Sequence, residues 1–243
     1  MSQFIFALAH SPVAGMGINL SNTQKCIEDA FQDYEPGIKS FIHNVTLNDV
    51  QHALTIKEDS GPQVFQFSGH GTEDHLHFFN REGNERRLVE HEAFAHILAE
   101  IKSLKLVIFD CCLSYKLART CVAAGIPAAI GTSSELADKS SHELCDYFWK
   151  VIVKGGSIHQ ALTQANKLYE ADQTFSDHYS TWELFLNPEY PQPKDISWDL
   201  TGAQTSKRQK ATEGSTNIKV ANSKNVIATG KMDVKDSSIN FGK

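Results

Sequence analysis

Short, mainly apolar runs along this chain alternate with segments whose apolar residues recur every three or four positions. The runs Phe4–Ala9, Ile38–Val45, Val64–Phe67, Leu104–Phe109 and Ile126–Ile130 have the length and the Val, Ile, Leu and Phe content of strands. Helical spacing links Cys26, Ile27, Ala30 and Phe31 behind Ser21, a good N-cap. A short helix opens at Asn48 through Val50 and Leu54, and another carries Phe94, Ile97, Leu98 and Ile101. Leu144–Ile152 and Ile158–Tyr169 read as two more helices. Leu76–Phe79 reads as one arm of a small exposed hairpin, turned at Glu82-Gly83-Asn84. Continuously apolar strands separated by helices indicate a parallel sheet covered on both faces. The expectation is a three-layer α/β/α domain with a mostly parallel central sheet.

Charge marks where this pattern stops. From Thr201 onward there are eight Lys/Arg against three Asp/Glu, a net of +5, which leaves −11 on the first 200 residues. Pro188, Pro191 and Pro193 precede the switch. The chain therefore reads as a body over 1–190, a linker over 191–206 and a basic tail over 207–243. In the tail, pairs such as Ile218/Val220, Val226/Ala228 and Ile239/Phe241 alternate among Asn, Lys and Gly. It reads either as a disordered basic segment or as a short β-type motif that recruits an activating or filament-forming partner through its backbone edges.

Composition narrows the function. An acidic body disfavours nucleic acid and anionic membrane partners, and no apolar run is long enough to cross a bilayer. The N-terminus lacks the basic and small-residue features of a signal peptide, so a cytoplasmic location is expected. Five cysteines, two of them adjacent, make a poor disulfide framework and suit a reducing compartment. Without CxxC pairs no structural zinc site is expected, and His70, His75 and His77 are set aside as a metal cluster because the last two lie on the exposed arm. No metal or cofactor is expected. The Gly155-Gly156-Ser157 turn fits no phosphate-binding glycine motif and reads as a helix C-cap followed by a Ser N-cap.

Function in open α/β sheets gathers at the carboxyl ends of strands. Two strands here end in reactive side chains: Val64–Ser68 leads into Gly69-His70-Gly71, and Leu106–Phe109 leads into Asp110-Cys111-Cys112. One crossover helix separates them, so the strands are expected to be neighbours. Cysteine nucleophiles need a base within reach and donors for the oxyanion. His70 and Cys112 are the candidate dyad, and the N–H groups of Gly71 and Cys112 the candidate oxyanion hole. A helix starting near Ser114 would favour the thiolate through its dipole, with Ser114 as N-cap. Cys111, alternating with Cys112, would then face the core, and Cys26, Cys121 and Cys145 read as small buried hydrophobes.

The order Phe-Ser-Gly-His-Gly, then LVIFDCCLS, then AGIPAAIG, then GGSIHQAL, resembles the clan of caspases and metacaspases, and within it most of all the CHAT domain, over about Gln3–Asn187. The resemblance implies a caspase-like fold, His70 as catalytic base and Cys112 as nucleophile of a cysteine endopeptidase acting on a protein substrate. Many CHAT domains have Asn-Ala before the nucleophile, whereas Asp110-Cys111 stands here, as in metacaspases. In this clan the residue two before the nucleophile lines the first specificity pocket, so Asp110 implies cleavage after Lys or Arg. The resemblance extends to a role in antiviral defence or cell death. The alternative is a catalytically silent scaffold or adaptor working through its tail.

Overall fold

The structure, a computed structural model, describes residues 6–11, 20–32, 41–42, 46–54, 61–79, 85–172, 181–198 and 200. All belong to the first of the two units into which the chain divides, Met1–Thr201. The tail, residues 207–243, lies outside the described residues, as do the proposed turn residues 82–84.

Among the described residues six strands form the main sheet: β1 (Phe6–Ser11), β2 (Phe41–Ile42), β3 (Val64–Gly69), β6 (Leu106–Asp110), β7 (Ala128–Gly131) and β8 (Glu183–Leu186), in the spatial order β2-β1-β3-β6-β7-β8. Every pairing is parallel except β7–β8. β3 and β6 are buried along their whole length, as strands covered on both faces must be, and they carry Gln66, Ser68 and Asp110 among their apolar residues. A separate antiparallel hairpin, β4 (His75–Phe79) with β5 (Arg86–Glu90), follows β3.

The helices are α1 (Leu20–Phe31), α2 (Leu47–Leu54), α3 (His91–Ala99), α4 (Tyr115–Ala123), α5 (Asp138–Ile152) and α6 (Ile158–Asp172). They divide the core in two, because alternate strand residues face opposite ways. Val64, Leu106, Ile108, Ala128 and Ile130 pack with Ile27, Phe148, Trp149, Ile158 and Trp182 on one face. Phe65, Phe67, Val107, Phe109 and Ala129 pack with Phe78, Phe94, Leu98 and Leu117 on the other. This is the three-layer α/β/α arrangement with a mostly parallel sheet that the apolar pattern and the resemblance imply.

Several local expectations change. The helix expected to open at Asn48 begins at Leu47, behind a reciprocal cap: the Asp49 N–H bonds Thr46 Oγ1 at 3.2 Å, and the Thr46 N–H bonds Asp49 Oδ2 at 2.9 Å. Ser157 does cap α6, through the Gln160 N–H at 3.3 Å, and Gly155, with φ +86°, supplies the left-handed turn before it. The hairpin is no exposed arm: Leu76, His77 and Phe78 are buried, because β4 covers Phe67 and Phe94. Strand β8 was not anticipated; four residues with a leading Glu give little periodicity to read. Residues 191–198 and 200, read as linker, pack back on the body: the Trp198 indole N–H donates to Gln63 Oε1 at 2.7 Å, and Ile196 and Leu200 join the first core.

Candidate active site

Strands β3 and β6 run side by side with Ser68 opposite Asp110. Two residues beyond that pair each chain carries its reactive side chain, His70 on one and Cys112 on the other. Gly71 closes the gap between them. A Cβ at residue 71 would lie 2.8 Å from the Cys112 carbonyl oxygen and 3.0 Å from Cys111 Sγ, so only glycine permits the approach. The fold thus carries both halves of the candidate dyad to one edge of the sheet.

Period-two alternation sorts the side chains around Cys112. Cys111 continues the Val107–Phe109 face into the second core and is buried; burial pushes its thiol well above the ordinary range. Cys112, half-buried, follows outside the strand. Its sulfur accepts the Leu136 N–H at 3.3 Å and lies 3.8 Å from the Leu136 carbonyl oxygen. Residues 132–136 run antiparallel to 111–115 here, with the Tyr115 N–H on Thr132 O at 2.9 Å and the Leu113 N–H on Ser134 O at 3.1 Å. Leu113 takes φ +51°, a left-handed conformation uncommon outside glycine, directly after Cys112.

Ser114 stands at the N-cap position of α4, yet its side chain does not cap the helix. It donates instead toward Phe109 O at 2.9 Å and Cys111 O at 3.0 Å and accepts the Thr132 N–H at 3.0 Å. The Thr132 hydroxyl donates to the same Cys111 carbonyl at 2.7 Å. Both hydroxyls therefore fix the turn that presents Cys112, a role the N-cap expectation missed.

His70 is half-buried, and its Nε2 is buried without a hydrogen-bond partner. Burial lowers its pKa below the ordinary histidine value, and the negative charge of Asp138 partly offsets this. The ring stands 6.3 Å, centroid to centroid, from that of His77, whose backbone N–H donates to His70 O at 3.0 Å. Among the described residues no group of three or more His, Cys, Asp and Glu side chains is arranged to hold a metal ion.

Asp110 faces the other way, toward α5, and is 3% exposed. Its Oδ2 accepts Ser141 Oγ at 2.5 Å and Ser68 Oγ at 3.1 Å, while Oδ1 is buried without a hydrogen bond. Desolvation raises its pKa to about 6 against the pull of Ser141, Ser68 and the nearby Trp182 indole. Sequence reasoning singled out Asp110 but not Ser68, Ser141 or Trp182. The available signal was the pair of polar residues, Gln66 and Ser68, inside an otherwise apolar strand.

Comparison with known proteins bears on the family and the fold. The family model described as the CHAT domain matches residues 29–187. No curated protein is significantly similar in sequence. Among solved structures, a secreted C11 cysteine protease from Bacteroides thetaiotaomicron, in complex with an irreversible peptide inhibitor, superposes with a TM-score of 0.53 at 9% identity, over 77% of this chain and 67% of that one. The Arg-specific cysteine proteinase gingipain R superposes with a TM-score of 0.54 at 12% identity, over 80% of this chain; the chain spans about half, 48%, of that structure. At these identities the likeness shows the fold.

Proposed function

Because the chain belongs to the CHAT domain family, we propose that it is a cysteine endopeptidase in which His70 serves Cys112. The observation that carries this reading is the seat of Gly71 on the Cys112 carbonyl, which puts imidazole and thiol at adjacent strand ends. His70, kept neutral by burial, takes the thiol proton. The Cys112 sulfur attacks the scissile carbonyl, the N–H groups of Gly71 and Cys112 receive the oxyanion, and the imidazolium returns its proton to the leaving amine. Water then hydrolyses the thioester. In the free chain the sulfur's hydrogen bonds run to Leu136 rather than to His70, so a substrate must displace Leu136 from the sulfur.

Asp110 supplies the preference for Lys or Arg at the residue before the cleaved bond. A buried carboxyl oxygen with no partner is costly unless something arrives to occupy it, and a basic side chain is its natural complement. Free thiols at Cys26, Cys111, Cys112, Cys121 and Cys145 support a cytosolic setting. A role in defence or cell death, with tail residues 207–243 recruiting an activating or filament-forming partner, completes the proposal. The competing reading, a silent scaffold, draws on the same Leu136 contact, since a thiol held that way is not engaged with its base.

One experiment separates them. The wild type and Cys112→Ala are incubated with a peptide library varied at the residue before the cleaved bond. The peptidase reading expects cleavage after Lys and Arg by the wild type alone; no Cys112-dependent cleavage would leave the scaffold.

A further inference from the structure

On the face of the sheet that meets α5, β3 and β6 are apolar at Val64, Leu106 and Ile108 but polar at Gln66, Ser68 and Asp110. These polar groups form one buried chain. The Trp149 indole N–H donates to Gln66 Oε1 at 3.0 Å, Gln66 Nε2 donates to Ser68 Oγ at 3.3 Å, and Ser68 Oγ donates to Asp110 Oδ2 at 3.1 Å. Ser141, from the first turn of α5, closes the chain on the same oxygen at 2.5 Å. Two hydroxyls thus load Oδ2, and Oδ1 is left bare and buried.

That asymmetry has a physical consequence. A carboxyl group out of water tends to keep its proton, and a protonated Asp110 would attract no cation. Hydroxyl donors favour the ionised form, as does the nearby Trp182 indole N–H, and two hydroxyls placed on one oxygen hold the other in a fixed direction. Resting on the reading of Asp110 as acceptor of a basic side chain, we infer that Ser141 is a positioning residue for substrate specificity: it keeps Asp110 ionised and turns Oδ1 toward the Lys or Arg nitrogen. The titratable groups that also face Asp110 are Asp138 and Cys145 of α5 and Cys111 beside it in the chain. None is a cation, so the hydroxyls act without a competing positive partner.

The test measures kcat and KM across pH for peptides with Lys, Arg or a neutral residue before the cleaved bond. In Ser141→Ala, kcat/KM for the basic peptides should fall about tenfold, mostly through KM, since the lost bond is to a charged group. The acid limb of their profile should move to higher pH, because Asp110 loses a donor that favoured its anion. The neutral peptide's profile reports His70 and serves as the reference. Ser141→Thr, which restores a hydroxyl, should recover the limb. Ser140→Ala, which breaks a buried 2.6 Å hydroxyl contact with Tyr169 in the same turn, should move neither KM nor the limb. If Ser141→Ala does not fold, Ser68→Ala removes the other donor to Oδ2 and carries the same readout. A wild type that cleaves but ignores charge before the cleaved bond overturns the Asp110 reading and this inference together. A wild type that prefers Lys and Arg, with an unmoved profile and KM in the serine variant, overturns this inference alone.

Discussion

Gly71 rests on the carbonyl of Cys112 so closely that a methyl group at residue 71 would lie 2.8 Å from that oxygen. The contact joins the two loops that carry His70 and Cys112, and backbone on one side and a buried sulfur on the other leave no flexible atom to yield. Gly71→Ala should therefore separate the loops while the sheet below stays intact. A displacement of about 1 Å at a reacting centre costs on the order of 10²-fold in rate. Peptide turnover measured beside a far-ultraviolet spectrum checks it; wild-type turnover in a folded variant would mean that this packing does not set the dyad.

The adjacent cysteines should divide sharply. Cys112→Ala and His70→Ala each remove a group of the proposed dyad and should abolish turnover without unfolding the chain. Cys111 sits in the second core, so Cys111→Ala should keep most of the activity and cost about 1 kcal/mol of stability through lost packing. Alkylation of the native protein by a thiol reagent, read by mass spectrometry, should reach Cys112 first. Loss of turnover in Cys111→Ala with Cys112→Ala still active would reverse the assignment.

The pH dependence follows from His70. Burial disfavours its charged form, so the acid limb of kcat/KM for a neutral peptide should lie below the ordinary histidine value of about 6.5. Asp138 opposes that shift by favouring the imidazolium. Asp138→Asn should consequently move the limb still lower, and a move to higher pH would contradict the assigned electrostatics.

Acid stability should depend on His91, which is buried at the start of α3 with both ring nitrogens unpartnered. Burial, with smaller contributions from neighbouring charges, lowers its pKa to about 4. Between about pH 6.5 and 4 the unfolded chain binds a proton at this histidine that the folded chain refuses, so stability falls as pH falls through that window. His91→Leu should remove this component, gaining up to about 3 kcal/mol relative to the wild type between pH 7 and pH 4. Chemical denaturation at the two pH values measures it. An unchanged difference would show that His91 is protonated alike in both states.

The apolar runs and helical periodicities were enough to give the layered α/β/α fold, because a strand covered on both faces is a short apolar run whose length and bounding turns set it apart from the longer periodic helices. The two strand-end motifs singled out His70 and Cys112 for the same reason: polar, reactive residues directly after such a strand stand at the sheet's carboxyl edge. What the sequence alone did not disclose depends on residues distant along the chain. Ser141 meets Asp110 from 31 positions away, and Leu136 meets the Cys112 sulfur from 24. Ser114 looked like a helix cap because local spacing is all that a linear reading offers; the tertiary fold gave its hydroxyl to Phe109, Cys111 and Thr132 instead. His77 looked exposed among charged neighbours until β4 folded over Phe67. Periodicity decides which face a residue takes, whereas the partner it finds on that face is decided only when the helices pack.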